Sequence, residues 1–114
     1  MKIDQRAAIA PHLEQLLKET GASLARMRIA RRMPQRLAAE RAGISRNTLS
    51  RIENGDPSVA IGQVMRYLET LGKGEVLARA LESESDPAVR SLAVQEKTRR
   101  ARALSETELE RYDF

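Results

Sequence analysis

Arginine carries most of the chemistry this chain has to offer. Eight arginines (Arg26, Arg28, Arg31, Arg32, Arg36, Arg41, Arg46 and Arg51) lie between Leu24 and Arg51, against the single acid Glu40. That segment carries +7 while the whole 114-residue chain carries +4, so the positive charge is local. Like charges a helical turn apart weaken a helix slightly, and a one-signed block spread over three consecutive elements points to a polyanionic partner. Catalytic chemistry has no comparable support. The one histidine, His12, has only Asp4 and Glu14 near it in sequence, at no recognised acid/base or metal spacing, and the chain has no cysteine. No glycine-rich loop is present to cradle a phosphate. His12 is expected to be a surface or helix-capping residue, and the chain to be no enzyme and to need neither metal nor cofactor.

The elements that must position these arginines are expected to be helices. Apolar residues make up 41% of the chain and aromatics only 3%, so the core is built from Leu, Ile, Val, Ala and Met. No apolar run approaches the roughly 20 residues that cross a bilayer, and the start MKIDQRAAIAPH lacks a signal-peptide core. A basic amphipathic helix on a membrane would need bulky apolar residues beside its charges, whereas residues 24–51 offer alanine and a few leucines. A cytoplasmic protein with no membrane partner is expected.

Periodicity divides the chain. Residues 4–19 place Ile9, Leu13, Leu16 and Leu17 at helical spacing, with Gly21 as a C-terminal stop. Ser23 then caps a second helix with Leu24, Met27 and Ala30 inward and Arg28, Arg31 and Arg32 outward. Pro34 ends it and opens a short helix from Gln35 to Ala42, whose Ala38, Ala39 and Ala42 permit close packing. Gly43 supplies a left-handed closure, and Ser45 caps a helix that reaches about Asn54. The turn 54-NGDPS-58 leads, with Ser58 as cap, into a helix to about Leu71 whose inner stripe is Ile61, Val64, Met65, Leu68 and Leu71. Gly72 ends it, and a shorter helix carries Val76, Leu77, Ala80 and Leu81. Residues 88–104 are helix-prone with an incomplete apolar stripe, and 105-SETE-108 has capping-box spacing for a last turn. Three regions follow: an N-terminal helix (1–21), a central domain (22–84) and a C-terminal extension (85–114) that is helical or partly disordered.

In the middle of the central region stands 37-LAAERAGISRNTLSRIENG-55. Two short helices joined by a glycine turn, with Ala39 four residues before Gly43 and Leu49 and Ile52 six and nine after it, describe a helix-turn-helix. Ala39 must be small where the second helix crosses it, Gly43 needs a positive φ, Ser45 caps, and Leu49 and Ile52 anchor the second helix. With the arginine block beside it, the motif implies DNA binding.

The run 34-PQRLAAERAGISRNTLSRIENGDPS-58, followed by 64-VMRYLETLG-72, resembles the DNA-binding domain of the Cro/cI-like (XRE) regulators over about residues 23–81. The shared features are a Gln heading the second helix, an Ala-x-x-x-Gly-Ile-Ser turn, an Ile-Glu-x-Gly exit and a Pro-Ser entry to the fourth helix. One departure is Ala38, where the family usually has leucine, with Leu37 beside it. The resemblance implies a compact all-α, five-helix, lambda-repressor-like domain. It also implies base contacts from Arg46, Asn47, Ser50 and Arg51, with arginine suited to a guanine edge and asparagine to adenine. Gln35, at a helix N-terminus, is expected at a phosphate, as are Arg31, Arg32 and Arg36, with a solvated side chain as the alternative for any one of the arginines. Asn54 either reaches a phosphate or caps the exit turn. Glu53 is expected to be a structural partner of a neighbouring arginine.

Such domains work on double-stranded DNA as homodimers over paired half-sites. The dimer surface falls either after Leu71, where Val76, Leu77, Leu81 and residues 88–104 leave apolar groups uncovered, or on the leading helix. More narrowly, 54-NGDPSVAIGQVMRYLETLG-72 resembles the HipB-type antitoxins. That resemblance implies a repressor of its own operon that also binds a HipA-like kinase toxin. A stand-alone repressor of phage or metabolic type is the alternative. The basic 97-KTRRAR-102 and the acidic end suit either a tail that folds onto a partner or a disordered one.

Overall fold

The computed structural model describes residues 3–82 and 86–112, with the side chains of Arg6 and of residues 106–112 left out. Among the described residues every regular element is a helix: α1 (Gln5–Ala8), α2 (Pro11–Ala30), α3 (Gln35–Ala42), α4 (Arg46–Glu53), α5 (Ile61–Thr70), α6 (Val76–Ala80) and α7 (Pro87–Tyr112). No described helix is long and apolar enough to cross a membrane. The chain divides into two units, one ending at Val76 and the other beginning at Leu77.

In the first unit α3 packs on both α4 and α5, while α2 packs on α4. Small residues make this possible: Ala38, Ala39 and Ala42 are buried on α3 against Leu49 and Ile52 of α4 and Tyr67, Leu68 and Leu71 at the end of α5. Alanines at the crossing let α3 approach closely, and the larger side chains fill the space around it at the density of a packed interior.

The expected break at Gly21 does not occur, because α2 is one helix of 20 residues in which Gly21 and Leu24 are buried. A Cβ on Gly21 would stand 2.3 Å from the Glu53 carbonyl oxygen and 2.6 Å from that of Ile52. The glycine is there because two backbones touch, so the helix propensity it forgoes is offset by a close crossing. Gly55 reciprocates one turn away on α2. At φ +73°, its Cβ would lie 2.6 Å from the Lys18 nitrogen and 2.7 Å from the Leu17 carbonyl carbon. Ser23 is therefore a mid-helix residue, whose Oγ accepts from Arg26 Nη2 at 2.9 Å.

Other helix ends follow local rules. Ser45 caps α4, its Oγ accepting from the Thr48 N–H at 3.0 Å. Gly43 closes α3 at φ +68°. Ser58, expected to cap α5, instead lies in the preceding loop, where its N–H and its hydroxyl both donate to Asp56 Oδ1. The residue before α5 is Ala60, which has no capping side chain. Ile61 and Met65 also depart from expectation. They sit at core spacing, yet are 70% and 41% exposed. The inner side of α5 is set by Tyr67 and Leu68, and that turns Ile61 and Met65 outward.

In the second unit α7 continues through residues 105–108 without a fresh start, so the expected capping box is not used. Residues 86–105 are exposed throughout.

Candidate nucleic-acid interface

Glu53, the last residue of α4, joins four helices. Arg28 of α2 grips it with two parallel bonds, Nε to Oε2 at 2.8 Å and Nη2 to Oε1 at 3.1 Å. Gln35 at the head of α3 donates through Nε2 to Oε1 at 2.9 Å, and the Tyr67 hydroxyl of α5 donates to Oε2. The remaining arm of Arg28, Nη1, donates to the Met33 carbonyl at 2.8 Å, which fixes the loop between α2 and α3. The two charged side chains of this pair are largely withdrawn from solvent, 12% and 7% exposed. Among the described residues no buried polar side-chain atom lacks a partner. A planar guanidinium matched to a carboxylate is the geometry in which a buried ion pair is best compensated for lost hydration.

The pair's protonation follows from this arrangement. Burial pushes the Glu53 carboxyl up, but the hydrogen bonds from Arg28, Tyr67 and Gln35 outweigh it and hold the group below its ordinary value. The bond to Glu53 raises Arg28 against the opposing effect of burial. Burial, and then the bond to Glu53, push the Tyr67 phenol well above its ordinary value. The junction is therefore charged on α2 and α4 and neutral on α5.

Helical spacing puts Arg28 on the outer face with Arg31 and Arg32, and the structure turns it inward to Glu53. Its partner is 25 residues away, so helix periodicity carried no sign of it. Tyr67 is likewise 14 residues from Glu53, beyond the reach of local spacing. The available signal was Glu53 itself, an acid at the end of a basic motif, expected to pair with a neighbouring arginine.

With its inner side fixed by Leu49, Ile52 and Glu53, α4 turns a defined outer face to solvent. Arg46 and Asn47 are exposed on its first turn, Ser50 is half-buried one turn on, and Asn54 is exposed at its end. Asn47 and Asn54 are seven residues apart, two helical turns, and share one face. Arg51 is differently placed. Its Nε donates to Asp56 Oδ2 at 2.9 Å and its Nη2 to Ser58 Oγ at 2.6 Å, and Asp56 is buried. Its head group is thus held over the loop that leaves α4.

Around this face stand the other basic residues. Arg36 is exposed on the first turn of α3, whose leading Pro34 offers no side-chain cap to the first N–H groups. Gln35 is half-buried, with its amide nitrogen committed to Glu53. At the end of α2, Arg31 folds back so that Nη1 donates to the Met27 carbonyl at 2.9 Å. Arg32 adopts φ +54°. Its N–H reaches the Ile29 carbonyl at 2.9 Å and the Met33 N–H reaches that of Arg28 at 3.2 Å, a Schellman closure in which glycine is the usual residue.

Residues 19–81 match the family model described as a helix-turn-helix domain. No curated protein and no solved structure matches the chain.

Proposed function

Because the chain belongs to the helix-turn-helix domain family and is a DNA-binding regulator, we propose that it is a sequence-specific repressor acting in the cytoplasm as a homodimer on paired half-sites. The observation that carries this reading is the outer face of α4, where exposed Arg46 and Asn47 project from a helix whose other side is pinned by buried groups. A helix held in this way presents base-reading side chains without having to order itself on binding.

In this reading Arg46, Asn47 and Ser50 meet base edges, and Arg51 meets one from within its clamp on Asp56 and Ser58. Arg31, Arg32, Arg36 and Asn54 meet phosphates, together with the N–H groups at the head of α3 beside Gln35. Phosphate contacts supply affinity and its salt dependence, whereas the α4 contacts supply preference among sequences.

The narrower reading is an antitoxin that represses its own operon and binds a HipA-like kinase toxin. It is supported by the resemblance of 54-NGDPSVAIGQVMRYLETLG-72. A stand-alone repressor is the second reading, favoured by the fact that the same stretch is accounted for within the fold: Asp56 holds Arg51 and Ser58, and Tyr67 holds Glu53. The test is binding of the purified chain to its own upstream DNA, titrated against salt and random competitor, with the adjacent gene product added in a second series. Saturable, competitor-resistant binding supports the repressor, and a change on adding the neighbour supports the antitoxin. Binding without sequence preference overturns both.

A further inference from the structure

We infer that the outer face of α5 is where two copies of this chain meet, an inference that rests on the reading of the chain as a dimeric regulator. Ile61 and Met65 recur at core spacing but meet no core, and are 70% and 41% exposed. Beside them lies an open groove of about 490 Å³ between α3 and α5, with Ala42, Gly62 and Met65 as its apolar floor and Arg41, Arg66 and Glu69 on its walls. A Cβ on Gly62 would meet nothing within 4 Å, so the floor is open at that point. Among the described residues Arg41, Arg66 and Glu69 form no ion pair.

A second copy is the occupant that fills the apolar hollow and gives each Glu69 a partner, with one arginine of each copy left over. In a twofold interface one patch must supply both halves of every contact. Here an apolar knob, Ile61, stands next to an apolar hollow over Gly62, and unpaired charges of both signs lie on the same helix face. Rotating one copy onto its twin lets each Ile61 enter the other's groove and brings each Glu69 within reach of the other's Arg66 or Arg41. A purely acidic peptide would leave Glu69 opposed by like charge, and a purely apolar one would bury all three charges unpaired. One helix face falls below the roughly 800 Å² per partner of a standard interface, so the dimer is expected to be weak in solution and reinforced where two half-sites hold the copies together.

Sedimentation of the full chain across a concentration series, with and without DNA carrying one or two half-sites, tests the inference. Ile61→Asp is expected to raise the dimer dissociation constant about tenfold or more while the helical circular dichroism and melting temperature stay as in the parent. Glu69→Arg should weaken the dimer, and Glu69→Arg combined with Arg66→Glu should restore it, a rescue that a misfolded variant cannot show. Leu81→Asp, at the exposed position just after α6, should leave the dimer unchanged. A parent chain that stays monomeric on paired half-sites, or a dimer indifferent to Ile61→Asp and to the charge exchange, overturns the inference. If dimers respond as expected but bind DNA without sequence preference, the repressor reading fails and the interface stands.

Discussion

Gly21 of α2 rests against the carbonyl oxygen of Glu53, the residue that ends α4, so closely that an added methyl would lie 2.3 Å from it. Gly21→Ala would raise helix propensity by about 1 kcal/mol in an exposed helix. Here the methyl meets backbone that has no free rotor to move aside, so the helices must separate. The expected outcome is a net loss of about 3 kcal/mol, of the order seen for overpacked interiors, read from urea unfolding. A gain in stability would show that α2 and α4 are not in this contact.

Removing one member of the Glu53 junction leaves a largely desolvated charge without its partner. Glu53→Ala is expected to cost about 3–5 kcal/mol, enough to unfold much of the population of a small domain. The double replacement Arg28→Met with Glu53→Leu should recover a large part of that loss. A double-mutant cycle by thermal unfolding gives the coupling, and single losses that add without coupling would contradict the bidentate pair.

The same junction sets a pH window. Glu53 is held below its ordinary value of 4.5, so its contribution is present above that pH and is lost as pH falls through the folded-state value. Tyr67 is raised above its ordinary value of 10.0, so its contribution is present below that pH and is lost as pH rises through the folded-state value. Melting temperature should therefore fall on both sides of that window. Tyr67→Phe should flatten the alkaline fall at a cost of about 2 kcal/mol near neutrality. An alkaline fall unchanged in the variant would exclude Tyr67 as its source.

Arg32 pays a conformational penalty at φ +54°. Arg32→Gly should stabilise the domain by about 1 kcal/mol and, if the side chain meets a phosphate, weaken binding to all DNA and reduce the slope of log affinity against log salt by about 1. An unchanged salt slope would confine Arg32 to a structural role.

On α4, Asn47→Ala should narrow the ratio of operator to random-DNA affinity by about 1–3 kcal/mol with little change in stability, because Asn47 is exposed. Arg36→Ala should weaken both affinities equally. Competition binding with operator and scrambled DNA separates the two, and identical behaviour of the variants would contradict their assigned roles.

What was legible in the sequence was local. Ser45 bonds a backbone N–H three residues ahead, and Gly43 answers to its own φ, so residue type alone identified both. The alanines of α3 and the anchors Leu49 and Ile52 followed from spacing. What was not legible depended on elements distant in sequence. Gly21 reads as a helix stop until Glu53 is brought against it, and Arg28 reads as a surface charge until the same residue turns it inward. Ile61 and Met65 follow the core period of α5, but the direction of the core was decided by Tyr67 and Leu68. Asp56 took the hydrogen bonds of Ser58 and so removed it as a cap, a competition that composition does not rank. On α4, Arg46 and Asn47 stand exposed on the first turn, whereas the clamp on Arg51 depends on the fold of the following loop.

The concentration of anchoring at the far end of α4 separates two tasks along one short helix. None of the side-chain hydrogen bonds that Glu53 makes involves Arg46, Asn47 or Ser50, so the bonds that orient α4 do not depend on those three side chains. Substitution at Arg46, Asn47 or Ser50 therefore changes the surface that α4 presents and leaves its anchoring side chains in place.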